Sequence, residues 1–289
     1  MCSILALLIF IFAKKNQLLN KFYYFCKLLL ILYVVMRFKL TLQLQPEVMG
    51  RELPINYQYP LQSAIYKTLA ISDAEFSLWL HDNGYQQEGK RFKLFTYSNL
   101  FMPCGIDRER ERLIPKRNIA TWFVSFLPEK GTLEFVRGLF ENETIQIADK
   151  VSGVQFKVRE LQMMPKLDYN PNLVFKTLSP ICVSAKNARG KMDYLSPEDE
   201  RYELALLTGL LARYNALNGH PFAGDAYCHL QVLSKPKSVL VRIKAGTPQE
   251  TRVRGYHYNF SIDLPPELMT IAYESGLGEK ASLGFGMFG

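Results

Sequence analysis

Few side chains of the kinds that usually carry chemistry have telling positions in this chain. The four histidines, His81, His220, His229 and His257, show no metal-ligand spacing. Cys2, Cys26, Cys104, Cys182 and Cys228 are odd in number and scattered. No pair of them has metal or redox spacing, so reduced thiols in a cytoplasm are expected, with no metal and no cofactor. The tail is different. A Gly-hydrophobe-Gly pair at Gly276 and Gly278 recurs at Gly284 and Gly286, with five residues between them. Glycine adopts positive φ and lets another backbone come close. A loop bearing Lys280 and Ser282 between such pairs can offer N–H groups and a cation to a phosphate. The alternative is a helix cap at Gly276 followed by a turn into a strand.

The chain behind this tail has 289 residues, 48% of them hydrophobic, enough for one large or two ordinary domains with a sizeable core. The formal charge is +8 with a pI near 9.1, which allows an acidic partner such as nucleic acid without requiring one. Residues 1–35 contain no Asp or Glu and carry four lysines, leaving +4 for residues 36–289. Neither apolar run in this segment reaches the roughly 18 uninterrupted residues of a spanning helix. It also lacks the order of regions and the cleavage site of a signal peptide. Met36 opens an alternating run, RFKLTLQL, suited to a half-buried first strand. The expectation is therefore a start codon assigned too early, with 1–35 a spurious or disordered extension; a membrane anchor is the weaker reading.

From Met36 the pattern predicts a strand, then a helix over 57–70 with Leu61, Ile65 and Leu69 inward. A capping box with Ser72 as N-cap and Glu75 three residues on starts a second helix carrying Phe76, Trp79 and Leu80 inward. That helix ends at Asn83-Gly84 with His81 in its last turn. Strands follow over 93–101 and 119–127, separated by a mixed-charge loop over 106–117. A helix over 128–142 has Leu133, Val136, Leu139 and Phe140 inward, and strand material over 144–147 and 154–161 closes the unit. Strand, helix, strand, strand, helix, strand is the ferredoxin-like order. The pattern recurs: a strand over 173–183, a helix over 198–217 using Leu204, Leu207, Leu211 and Tyr214, and a hairpin joining 227–233 to 239–243. A strand over 256–264 does not fit the simple unit. A helix over 265–275 and a last strand over 283–288 complete the chain.

The stretches 53–66 (LPINYQYPLQSAIY), 93–98 (KLFTYS) and 176–181 (KTLSPI), in order with the double glycine tail, resemble one family. It is the CRISPR-associated repeat-cleaving endoribonucleases, the "Cas six" group of the repeat-associated mysterious protein superfamily. The resemblance covers residues 36–289. It implies an α+β chain of two tandem ferredoxin-like (RRM-like) domains, here 36–165 and 166–289, with the glycine-rich loop at 276–286. It also implies cytoplasmic, metal-free cutting of CRISPR repeat RNA into guide units. A CRISPR effector complex and a homodimer remain open as further partners, and no membrane partner is implied. Relatives begin close to the first strand and continue beyond the glycine signature, so the strand ending at Gly289 is expected to be short.

The family's active residues are a Tyr in the first helix, a His shortly after it and a Lys before the Leu-Phe-Thr-Tyr-Ser strand. These match Tyr66, His81 and Lys93. The segment from 81 to 93 is longer than in such relatives, which leaves Lys90 and Arg91 as alternative cations. Without the resemblance, His81 reads as a helix-end histidine, Tyr66 as boundary packing and Lys93 as a strand-edge lysine. With it, the chemistry is attack of a 2′-hydroxyl on the adjacent phosphorus, giving a 2′,3′-cyclic phosphate and a 5′-hydroxyl. Histidine titrates near neutrality and suits the proton transfer. Tyrosine, with a pKa of about 10, suits orientation better than proton removal, and a cation can neutralise the transition state. On one straight helix Tyr66 and His81 would lie about 22 Å apart; the helix start near Ser72 lets them converge. Lys235, Lys237, Arg242, Lys244, Arg252 and Arg254 form a basic region able to hold an RNA backbone, or a merely solvated hairpin. The glycines at 276, 278, 284 and 286, with Lys280 and Ser282, are expected to hold or shape RNA. Two competing readings are a non-catalytic RNA-binding subunit and an RNA-recognition core at Gly284–Phe288, where Leu283 stands in place of the expected cation.

Overall fold

A computed structural model describes residues 36–289, and the readings made for 1–35 lie outside the described residues. The first unit is built from β1 (Arg37–Leu44), α1 (Gln58–Ser72), α2 (Ala74–Asp82), β2 (Phe95–Tyr97), β3 (Ile119–Phe126), α3 (Glu129–Glu141), β4 (Thr144–Ala148) and β5 (Gly153–Met163). The sheet order is β2-β3-β1-β5-β4, with every pairing antiparallel. Without the outer strand β4 this is the ferredoxin-like arrangement. The alternation in β1 sends Phe38, Leu40, Leu42 and Leu44 into the core, where Ile65, Leu69, Trp122, Phe135 and Phe156 meet them. Helices α1 and α3 pack closely through Gly138, where an added Cβ would lie 1.9 Å from the Thr68 carbonyl oxygen.

The second unit has β6 (Phe175–Lys176), α4 (Tyr202–Asn218), β7 (His229–Val232), β8 (Lys237–Ile243), β9 (Thr251–His257), β10 (Asn259–Asp263) and α5 (Pro266–Ser275). Its sheet runs β7-β10-β6, and Gly289 then exchanges two backbone hydrogen bonds of 3.0 Å with Lys176. The same strand order therefore recurs, with the β8–β9 hairpin inserted between the second and third strands.

This insertion corrects the expected hairpin. β7 pairs with β10, and β8 pairs with β9 from Lys237 opposite His257 to Ile243 opposite Thr251. The misfit strand over 256–264 is thus the end of β9 followed by β10. Segment 281–283 is a 3₁₀ turn, so the last strand is shorter than 283–288. Phe140 and Leu204 are 65% and 68% exposed, and Trp79 is only partly covered, because the facing elements reach Val136, Leu139, Leu206 and Leu210 instead. Among the described residues no helix is long and apolar enough to cross a membrane.

The N-cap of α2 is Asp73, not Ser72. Asp73 Oδ1 accepts from Phe76 N at 2.8 Å, whereas Ser72 closes α1 and donates to Glu134 at 2.6 Å. The Phe76 N–H, and then Lys130 at 3.1 Å, hold the Asp73 carboxyl below its ordinary value. Asp73→Ala is expected to cost about 1 kcal/mol as a lost cap. A carboxylate held low in the folded state stabilises above its unfolded pKa, and that contribution disappears as pH falls through the folded value. Urea unfolding of both proteins should accordingly show the difference at pH 7 and a smaller one once the pH falls below the folded-state pKa of Asp73.

Candidate active site

Asp73, in extended conformation between α1 and α2, breaks what would otherwise be one long helix. Tyr66 and His81 consequently meet edge to face, with ring centroids 5.1 Å apart and planes at 81°. Ser77 Oγ donates to the Tyr66 carbonyl at 2.8 Å, tying α2 to α1 beside this contact. Phe95 of β2 backs the Tyr66 ring at 5.8 Å.

His81 is exposed in the last turn of α2, and its Nδ1 lies 2.7 Å from Asp82 Oδ1. The last carbonyls of a helix have no partner within it. Here Lys93 Nζ donates to the His81 carbonyl at 2.6 Å and Arg91 Nη1 to the Asp82 carbonyl at 2.8 Å. Arg91 lies in a small hairpin, Tyr85–Gln87 paired with Lys90–Phe92, that folds back on the helix end, and Lys93 follows directly after it. Gly84, at φ +61, leaves the room this needs: an added Cβ would lie 2.5 Å from the Phe92 carbonyl oxygen and 3.1 Å from Lys93 Cδ. Leu94 is buried at φ +53, a left-handed conformation costing a bulky residue about 1 kcal/mol or more. The bend at Leu94 separates Lys93, on the helix end, from β2 in the core.

Burial pushes the Tyr66 phenol up, and the Asp82 charge adds to the effect, so Tyr66 stays protonated near neutrality. It can donate a hydrogen bond but is a poor base. Burial, and then the Arg91 charge, pull the Lys93 ammonium down against the opposing effect of Asp82.

Beyond Lys93 a cleft of about 500 Å³ opens between the units. Lys90, Arg91 and Lys93 line one wall; Arg213, Lys280 and Ser282 line the other. The acidic residue present, Glu279, is engaged by Ser184 Oγ at 2.9 Å. Arg213 was not evident from the sequence as a site residue. It is buried on α4, and its Nη1 donates to Ser275 Oγ at 3.2 Å and to the Gly276 carbonyl, fixing the start of the glycine-rich loop. The available signal was its place on the buried stripe Tyr202, Leu206, Leu210, Arg213, where an arginine is out of keeping.

Gly276, Gly278, Gly284 and Gly286 all have φ between +80 and +91. Three of them, Gly276, Gly284 and Gly286, are buried, with Thr96 and Tyr97 of β2 against Gly276 and Gly284. Thr96 Oγ1 donates to the Phe285 carbonyl at 3.0 Å, so the loop straps the two units together. Gly278, Lys280 and Ser282 are on its accessible side, with Lys280 exposed.

The basic region divides in two. Lys235 and Lys237 are exposed, while Arg242, Arg252, Arg254 and Lys244 are tied to neighbours on or near the β8–β9 hairpin. Arg242 pairs with Glu111, Arg252 lies 3.7 Å from Glu250, Arg254 donates to Ser238 at 3.2 Å, and Lys244 donates to Gln249 at 2.6 Å. Arg242 and Lys244 also line a groove of about 830 Å³ facing Asn56 and Tyr59 of the first unit. The mixed-charge 106–117 segment forms an ion-paired hairpin, with Arg110 on Glu52 at 2.6 Å and Arg112 on Asp149 at 3.0 Å. His220 is exposed beyond α4, His229 stacks on Tyr227, and His257 is held by Thr177 at 2.8 Å.

Comparison with known proteins bears on this arrangement. A family model described as "CRISPR-associated protein Cas6, N-terminal" matches residues 52–162, and "CRISPR associated protein Cas6, C-terminal" matches 162–289. The "CRISPR-associated endoribonuclease Cas6" of Pyrococcus furiosus is 30% identical over 257 residues, 87% of this chain and 89% of that protein. "CRISPR-associated endoribonuclease Cas6 1" of Methanocaldococcus jannaschii is 30% identical over 81% of this chain and 86% of its own length. The solved structure described as "Characterization of a Cas6-related gene from Pyrococcus furiosus" superposes with a TM-score of 0.70 at 25% identity, covering 88% of this chain and 98% of that one. The four sequence stretches, the repeated ferredoxin-like topology and these matches agree: the chain belongs to the Cas6 family of CRISPR-associated proteins.

Proposed function

We propose that the chain is a metal-independent endoribonuclease that cleaves CRISPR repeat RNA, with Tyr66, His81 and Lys93 at the reacting phosphate. The observation that carries this reading is the convergence of residues distant in sequence: the Tyr66 and His81 rings at 5.1 Å, with Lys93 Nζ on the same helix end. In the reaction the 2′-oxygen forms a bond to phosphorus and the bond from phosphorus to the 5′-oxygen breaks. The 2′ proton is removed, the 5′-oxygen gains a proton, and a 2′,3′-cyclic phosphate and a 5′-hydroxyl result. His81 is the proton-transfer group. Tyr66, protonated, orients the 2′-hydroxyl or a phosphate oxygen. Lys93, supported by Arg91 and Lys90, offsets the charge that builds on phosphorus.

RNA is held more widely. Lys280 and Ser282 face the cleft from the glycine-rich loop, and Lys235, Lys237 and the β8–β9 arginines supply a backbone-binding surface. Gly276, Gly278, Gly284 and Gly286 act by shaping the loop, each at positive φ and in close contact with neighbouring atoms. Service to an effector complex and homodimer formation are compatible with this reading and are not required by it.

The test is incubation of the full chain with a CRISPR repeat transcript in EDTA, followed by mapping of both new ends. The expected result is cleavage at one position, with cyclic phosphate and 5′-hydroxyl ends and no loss in EDTA. Loss of cleavage in EDTA that a divalent ion restores would overturn the metal-free mechanism. Binding without any cleavage would favour a non-catalytic subunit.

A further inference from the structure

We infer that Asp82 is a positioning residue for His81, its carboxylate holding Nδ1–H so that Nε2 is the nitrogen presented for proton transfer. This rests on the reading of His81 as the proton-transfer group, but the contact itself does not. A carboxylate only accepts hydrogen bonds, and a neutral imidazole has one donor and one acceptor. The 2.7 Å contact between Asp82 Oδ1 and His81 Nδ1 therefore places the proton on Nδ1 and leaves Nε2 with its lone pair. With Nδ1–H held by the carboxylate, the histidine keeps one orientation through both halves of a proton transfer.

Four features separate this contact from an incidental surface pair. Adjacent residues on a helix point about 100° apart and do not normally face one another. Asp82 is the last residue of α2, where the negative end of the helix disfavours an acidic side chain. That unfavourable placement is met by Arg91, which bonds the Asp82 carbonyl, and by Lys93, which bonds the His81 carbonyl, so the helix end is braced on both residues. The pair is exposed, with side chains 62% and 56% accessible, and such pairs contribute little to folding stability. The Asp82 charge also reaches the other two residues of the constellation, Tyr66 and Lys93. Its effect is thus concentrated on the chemistry rather than on the fold.

Asp82→Ala and Asp82→Asn test this in the full chain with two independent readouts. In RNA-free protein, ¹⁵N NMR of the neutral form of the His81 ring should show the Nδ1–H tautomer, and Asp82→Ala should shift the population toward Nε2–H. An unchanged tautomer ratio overturns the inference whatever the protein does to RNA. In single-turnover cleavage, Asp82→Ala should lower the rate on the order of tenfold, the usual size of a lost orienting partner, with affinity for RNA unchanged. In a His81→Ala background the same substitution should cause no further loss. A full tenfold loss there would mean that Asp82 acts independently of His81 and would also overturn it. Should His81→Ala itself cleave normally, the assignment of His81 fails, while the tautomer experiment still decides whether Asp82 positions the ring.

Discussion

His81→Ala should lower the single-turnover rate of repeat-RNA cleavage by about 10²–10⁴-fold, the usual contribution of a positioned general acid or base. Affinity for the uncleaved RNA should be nearly unchanged. On the proposed reading the two effects separate because the imidazole serves the cutting step while affinity is shared among many cations. Backbone affinity would then be spread over Lys90, Arg91, Lys93, Lys280, Lys235, Lys237 and the β8–β9 arginines, so the loss of one imidazole should change it little. Stability should be preserved as well, because the His81 side chain is 62% exposed and its carbonyl keeps the bond from Lys93 after truncation. The measurement is a cleavage time course with protein in excess, beside a filter-binding titration of the same RNA. Unchanged cleavage would place the proton transfer elsewhere. Equal losses in rate and affinity would make His81 a binding residue.

The parts of this site that were legible in the sequence were those with local signals. Alternation gave β1, the apolar period gave α1, and Asn83-Gly84 marked the end of α2; the helix-start signal near Ser72 made the break that lets Tyr66 and His81 converge visible before the contact was. The cap itself was misassigned because Ser72 and Asp73 are both good caps, and the choice depends on Glu134 drawing the Ser72 hydroxyl away. That partner lies 62 residues along the chain, beyond the reach of a local motif. Strand pairing in the second unit failed for a similar reason. β7 is followed directly by β8, and nothing local says that β7 instead pairs with β10 across an inserted hairpin. Arg213 was hidden by its surroundings: an arginine among leucines reads as surface until the loop carbonyls it holds are in place.

The glycine-rich loop should make its own largest effect on stability. Gly286 has φ +80, and a Cβ there would stand 2.3 Å from the Leu277 carbonyl oxygen and 2.9 Å from Leu277 N. The close approach is enforced from both sides, since Leu277 N donates to the Gly286 carbonyl at 2.8 Å and Gly286 N donates to the Pro180 carbonyl at 2.8 Å. Gly286→Ala therefore combines a left-handed backbone, costing about 1–2 kcal/mol, with a clash against main chain that cannot rotate away. A total of about 3 kcal/mol or more is expected, a large share of the roughly 5–15 kcal/mol of a folded protein. At about 2–4 °C per kcal/mol, thermal unfolding should fall by roughly 10 °C. Gly246→Ala provides the control: φ is +71 there too, but nothing lies within 4 Å of the added Cβ, so only the backbone cost should appear. Were the two variants to lose the same stability, close packing would not be what requires glycine at 286. A phosphate-shaping role would then be the stronger reason for the residue, and the loss should appear in RNA affinity instead.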